Sequence, residues 1–196
     1  MKGTKKGIIA VILGVIGGLL AIVGVYSSWV SIYISMPMVG TKSIALNGWS
    51  FENLAELMSL LSQVGLTGAK NAAAGFAIMF ILAALILIYS IMCLVFGVLT
   101  MAKPRAGGLG LTIFGVLTTV FSIITFVIVS VAIGEMQRQM QAVSWLGKLI
   151  SASISISIGA GSYLCIIGGV VATAGGIVGM RSAGSTTEAE PHPPKE

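Results

Sequence analysis

The sequence predicts a membrane α-helical fold: a four-transmembrane-helix bundle carrying a small extracellular antiparallel β-sheet built from both outer loops. Three observations predict it. Charge is scarce and clustered, basic residues gather beside alternate ends of the apolar stretches, and two loop segments alternate apolar with polar or aromatic residues.

Of the 196 residues 56% are hydrophobic and only 9% are charged, with a mean hydropathy of +1.04. A soluble domain needs far more charge to cover its surface. Between Lys6 and Lys42, Lys70 and Lys103, Arg105 and Glu135, and Lys148 and Arg181 there is no Asp, Glu, Lys or Arg. Each gap exceeds the roughly 20 apolar residues that cross a bilayer core. The spans fall near 7–29, 72–101, 108–133 and 161–180, within one membrane domain over 1–181. The outer loops are then 30–71 and 134–160. The segment 182–196, with its Ser, Thr, Glu and prolines, reads as a disordered cytoplasmic tail.

The net charge of +5 has no basic stripe with interleaved aromatics, so nucleic acid is not an expected partner. Lys2, Lys5 and Lys6 precede the first span, Lys103 and Arg105 join the second to the third, and Arg181 follows the fourth. Short basic segments stay inside. The expected location is a multi-pass cell membrane or cell-envelope protein with both termini cytoplasmic. The apolar run from Gly7 to Val25 is long for a secretory signal and no convincing cleavage site follows, so it reads as a retained span. Cys93 and Cys165 fall at different depths of their spans, which disfavours a disulfide and favours small packing residues.

The first span carries Gly7, Ala10, Gly14, Gly17, Ala21, Gly24 and Ser28 at alternating three- and four-residue spacing. The fourth repeats the pattern with Gly161, Cys165, Gly168, Ala172, Gly175 and Gly179. In lipid, helices associate through close backbone approach at small residues. The seam Gly14, Gly17, Ala21, Gly24 against Gly168, Ala172, Gly175, Gly179 is read as an antiparallel contact of the first and fourth helices. A partner subunit against the same seam is the alternative.

Val30 to Met36 alternates strictly, and so does Ile150 to Ile158. Period-two patterning of β-branched residues with serine reads as strands with one buried face. If the first and fourth helices are neighbours, these strands emerge side by side and antiparallel. Pro37 to Gly40 supplies a turn and Thr41 to Leu46 a third strand. The sheet must stand clear of the hydrocarbon, where open edges cannot be satisfied. Ser50 to Ser62 reads as a capped helix with Phe51, Leu54, Met58 and Leu61 on one face. The third span is expected to continue outward as helix through Glu135, Gln137, Arg138 and Gln141.

Four spans, a long first outer loop and strands bracketing the first and fourth helices resemble the claudin and peripheral myelin protein superfamily. The local match is Trp29, Asn47-Gly48-Trp49 and Lys70. Claudin-like proteins carry a Trp near the first helix end, a Gly-Leu-Trp motif in the first loop and a basic residue near the second helix. Here Gly48-Trp49 lacks the middle Leu. The two cysteines that follow the motif in claudins are absent, so their barrier-forming role is not carried over. The resemblance implies membrane organisation or cell-surface interaction through the outer sheet. Trp29 and Trp49 have a second reading as interfacial anchors.

Catalysis is not expected. The one histidine is His192, no Asp is present, and no Glu lies inside a span. Neither metal ligands nor an acid–base pair can be assembled within the membrane from these residues, no cofactor is implied, and no small-molecule substrate is evident. Coupled transport would leave ionisable residues in the spans. The expected partners are the bilayer and other membrane proteins or a second copy. Met36, Met38, Phe51 and Trp145 are the candidate outer interaction surface. The alternative function is an accessory structural subunit of a larger membrane complex, with an oligomeric channel as a third.

Overall fold

The computed structural model describes residues 2–36, 40–48, 69–142 and 153–187. The described elements are α1 (Lys2–Tyr26), β1 (Ser28–Met36), β2 (Gly40–Asn47), α2 (Ala69–Ala102), α3 (Pro104–Ala142), β3 (Ser153–Ile158) and α4 (Ala160–Thr187). Among the described residues, four segments are long and apolar enough to cross a membrane: Gly7–Tyr26, Ile78–Ala102, Pro104–Glu135 and Ala160–Ser182. The protein is therefore mostly helical and multi-pass, with one three-stranded antiparallel sheet.

Several limits differ from the sequence expectation. The first helix stops at Tyr26, and Trp29, read as the end of the first span, belongs to β1. An apolar side chain fits either a helix or a half-buried strand, so hydropathy alone runs past the boundary. As the sequence predicts, α3 continues through the Gln-rich segment, to Ala142. α4 continues to Thr187, so the tail's first residues are helical. The α2–α3 connection is Lys103 alone, with Pro104 at the first helical position, where its missing N–H costs nothing. The helix expected over 50–62 lies outside the described residues.

The chain divides into two compact units. The first comprises Met1–Ile22, Ile88–Val120 and Ile166–Glu196. Here the four helices meet in the cyclic order α1–α2–α3–α4, through small residues. A Cβ placed on Gly17 of α1 would lie 2.5 Å from the Ala172 amide nitrogen and 2.6 Å from the Gly168 carbonyl oxygen. One on Gly168 would lie 2.6 Å from the Ala21 nitrogen, and one on Gly175 2.9 Å from the Gly14 nitrogen. Rising numbers on α1 meet falling numbers on α4, so the pair is antiparallel, backbone against backbone. Gly179, the last seam position, sits instead near Thr100 and Gly108, with Ala10 at 3.5 Å. On the other side of α4, Gly115 and Gly176 of α3 and α4 fit against the Thr173 and Thr112 backbones. Gly18 of α1 accommodates Leu94 of α2, and Gly110 of α3 accommodates Phe96.

Large apolar side chains point away from this centre. Ile8, Ile12, Ile16 and Leu19 of α1 are exposed, as are Ile91, Val95 and Val98 of α2 and Leu109, Ile113 and Val116 of α3. Ser90, Thr100 and Thr118 are buried. Hydroxyls inside a dry bundle need acceptors, and Thr100, Thr118 and Thr173 donate to the carbonyls four residues earlier, at 2.8 Å each. Small and hydroxyl residues inside with branched apolar residues outside is the arrangement lipid favours. Around Cys93, Leu111 and Ala172, Phe96 stacks on Phe114 with ring centroids 5.3 Å apart.

The second unit comprises Val23–Leu87 and Phe121–Cys165. It holds the sheet, in the order β2-β1-β3. Its core joins Val25, Trp29, Val30, Ile32, Leu46, Met79, Ala83, Ile86, Val129, Ile156 and Cys165. Gly24 packs on Cys165, where a Cβ would lie 2.7 Å from the Cys165 nitrogen. Both cysteines are buried and neither forms a disulfide.

Replacing Gly17 or Gly168 with Leu is expected to cost about 3 kcal/mol or more, because backbone rather than a side-chain tip must yield. Gly7 and Gly134 have nothing within 4 Å of an added Cβ, so their Leu variants should stay within about 1 kcal/mol of the native protein. Thermal unfolding in detergent with size-exclusion profiles compares the four; equal behaviour would contradict the close packing.

Candidate functional site

A helix leaves its last four carbonyls without helical partners. In α1 these belong to Val23, Gly24, Val25 and Tyr26, and each has a donor. Val23 accepts the Ser27 amide at 2.9 Å and the Ser27 hydroxyl at 2.8 Å. Gly24 accepts the buried indole Nε1–H of Trp29 at 2.7 Å. Val25 accepts the Gly48 amide at 3.0 Å, and Tyr26 accepts Asn47 Nδ2 at 3.2 Å. Residues more than 20 positions downstream thus close the helix, and the end of β2 is fastened to α1 by Asn47 and Gly48.

The other side of β1 is fixed in the same way. The Gly159 amide donates to the Trp29 carbonyl at 2.8 Å, so Trp29 holds α1 with its ring and the approach to α4 with its backbone. Gly159 lies so close to the Ser28 carbonyl that no side chain fits, and a Cβ on Gly161 would stand 2.5 Å from Trp29 Cδ1. Gly48 has Val25 O at 2.9 Å and Ala83 Cβ at 3.0 Å from its Cβ position.

Register then sorts the strands into two faces. Val30 pairs with Leu46 and Ile158, and Ile32 with Ile44 and Ile156; Val30, Ile32, Leu46 and Ile156 are buried. On the opposite face Ser31 stands between Ala45 and Ser157, Tyr33 between Ser43 and Ser155, and Ser35 between Thr41 and Ser153. Eight of these nine positions carry a hydroxyl and none a charge. Tyr33, Thr41, Ser43, Ser155 and Ser157 are exposed. At the β3 edge, Gln137 Nε2 of α3 donates to the Ile156 carbonyl at 3.3 Å. The helical extension of α3 therefore covers part of one sheet edge.

This uncharged hydroxyl platform centred on Tyr33 is the candidate site. Sequence reasoning placed the outer surface on Met36, Met38, Phe51 and Trp145 instead. Met36 closes β1, and the other three lie outside the described residues. Of the motif residues, Trp29 and Gly48 meet at the end of α1, Lys70 falls in the first turn of α2, and Trp49 lies outside the described residues. Trp29 is buried under the sheet. In the sequence Asn47 stands out only as part of a motif; its bond to the Tyr26 carbonyl spans 21 residues, beyond local patterning. The platform's signal was already in the serine positions of 31–35 and 153–157, which were used only to find the strands. Among the described residues, no three His, Cys, Asp or Glu side chains come together to hold a metal.

No protein-family model matches this sequence, and no curated protein matches it.

Gly48→Ala should destabilise the protein by about 1–3 kcal/mol by pressing on the Val25 carbonyl, and Asn47→Ala by about 1 kcal/mol. Because both act on one cap, the double variant should lose less than the sum. Thermal unfolding of the three variants in one detergent measures this, and strict additivity would mean the two residues act independently.

Proposed function

We propose that this chain is a non-enzymatic, claudin-like membrane protein that acts in membrane organisation or cell-surface protein–protein interaction, through the exposed face of its sheet. The observation that carries the reading is the hydroxyl platform held on the helix end. A flat, uncharged, rigidly anchored face suits contact with another polypeptide, where many hydroxyls can donate or accept without burying a charge. Tyr33 supplies the aromatic centre that interfaces favour, since it covers area while losing little rotamer freedom.

The claudin-like part of the proposal draws on architecture. Four apolar helices, a sheet whose strands come from both the α1–α2 and the α3–α4 connections, and a Trp and a Gly that each bond to the first helix end are the features that support it. The sheet faces outward and both termini face the cytoplasm, by the distribution of Lys and Arg at the short segments.

Orientation is tested by single cysteines in a background lacking Cys93 and Cys165. Ser43→Cys should react with a membrane-impermeant maleimide in intact cells, and Lys103→Cys only after permeabilisation; the reverse pattern would invert the topology. Interaction is tested by placing a photo-crosslinking amino acid at Tyr33 in the native membrane. A discrete adduct with a second copy or another membrane protein is expected, absent when the probe sits at exposed Val131 of α3. Equal yields at both positions would contradict the platform as a contact surface.

A further inference from the structure

The first unit carries a charge arrangement that the outer sheet does not explain. Among its described residues the cations are Lys2, Lys5, Lys6, Lys103, Arg105 and Arg181, and none is Asp or Glu. Lys103, Arg105 and Arg181 are exposed. Gly108, one turn into α3 from Arg105, lies against the α4 backbone, with a Cβ position 2.7 Å from the Met180 nitrogen. Arg105 and Arg181 therefore stand at the same level on adjacent helices. The tight turn fixes them: the Lys103 amide donates to Leu99 O and the Gly107 amide to Lys103 O, each at 2.8 Å. On α4, the Ser182 hydroxyl donates to Gly179 O at 2.7 Å.

Helix periodicity sets which way these residues face. On α3 the line of contact with α4 runs through Gly108, Thr112 and Gly115, and on α4 through Gly176 and Thr173. Arg105, Leu109 and Val116 lie about a quarter turn to one side of the first line, and Arg181, Ile177 and Val170 about a quarter turn to one side of the second. Because α3 and α4 are antiparallel, both quarter turns open onto the same flank. That flank is the outer one, since Gly168, Ala172 and Gly175 on the other side of α4 meet α1. Leu109, Val116, Val170 and Ile177 are exposed along it. Two guanidinium groups thus stand at the mouth of an apolar crease.

The geometry points to an anionic phospholipid bound on the α3–α4 flank, its phosphate between Arg105 and Arg181 and its acyl chains along Leu109, Val116, Val170 and Ile177. Charge complementarity selects the occupant. Guanidinium groups bind phosphate oxygens with paired N–H donors, and each basic residue near a membrane surface favours anionic over zwitterionic headgroups. A free anion would satisfy the arginines but leave the apolar crease to bulk lipid. This inference rests only on the membrane location of the bundle and is independent of the outer sheet.

Native mass spectrometry of the full chain in a nonionic detergent tests it, with phosphatidylglycerol and phosphatidylcholine of matched acyl chains supplied at equal concentration. The wild-type chain should retain phosphatidylglycerol preferentially. R105Q/R181Q should weaken that retention at least about tenfold, R105K/R181K should fall between it and the wild type because the charge is kept while the paired N–H donors are lost, and R138Q, a cation of the second unit, should not change it. Millimolar inorganic phosphate should not displace the lipid. Equal retention of the two lipids by the wild-type chain, an equal loss in R138Q, undiminished retention in R105Q/R181Q, or displacement by phosphate would each overturn the proposal.

Discussion

The closure of α1 is the constraint on which the second unit depends. Four carbonyls end together, and an unsatisfied buried carbonyl costs about 1–3 kcal/mol. The sequence meets the requirement with Ser27, Trp29, Asn47 and Gly48, so the donors come from both strands of a hairpin. Once the Trp29 indole is committed to Gly24, β1 has one starting point and one facing. The buried row of Val30 and Ile32 follows, and with it the opposite row of half-buried Ser31 and exposed Tyr33. A one-residue slip would exchange the two faces, and the cap forbids it. The second strand partner is fixed at the same residue, through the bond from Gly159 to the Trp29 carbonyl.

The first unit solves a different problem. Lipid offers no hydrophobic drive between helices, so association depends on how closely backbones approach. Gly17 and Gly168 bring α1 and α4 together, while Gly115 and Gly176 do the same for α3 and α4. Hydroxyls add polarity without leaving open donors, since threonines such as Thr112 and Thr119 donate at 2.9 Å to the carbonyls four residues earlier. The large branched residues, freed from the interior, form the outer surface. The same logic leaves a mostly apolar flank between α3 and α4, where two arginines become conspicuous.

Much of this was legible in the residue order. The gaps between charged residues locate four apolar helices, and alternation at 30–36 and 150–158 locates two strands. Their antiparallel adjacency follows from supposing that the first and fourth helices are neighbours. What the order hid was the end of α1, because Trp29 continues the apolar run and only contact with Gly24, Gly161 and the sheet gives it a different role. Asn47 and Gly48 were visible as a motif without a mechanism; their bonds to Tyr26 and Val25 span more than 20 residues, beyond any local rule. The hydroxyl platform was half visible. Each strand showed its serines, but only the register places Ser155, Tyr33 and Ser43 in one row.

Trp29→Phe keeps the ring in the core and removes the single N–H that reaches Gly24. Hydrogen–deuterium exchange of the full chain in lipid nanodiscs would compare that variant with the native protein. The account predicts faster exchange across β1, β2 and β3 while the peptides of 88–120 and 166–181 stay unchanged. Unchanged exchange in the strands would mean that the sheet holds its place without the cap, contradicting the central claim.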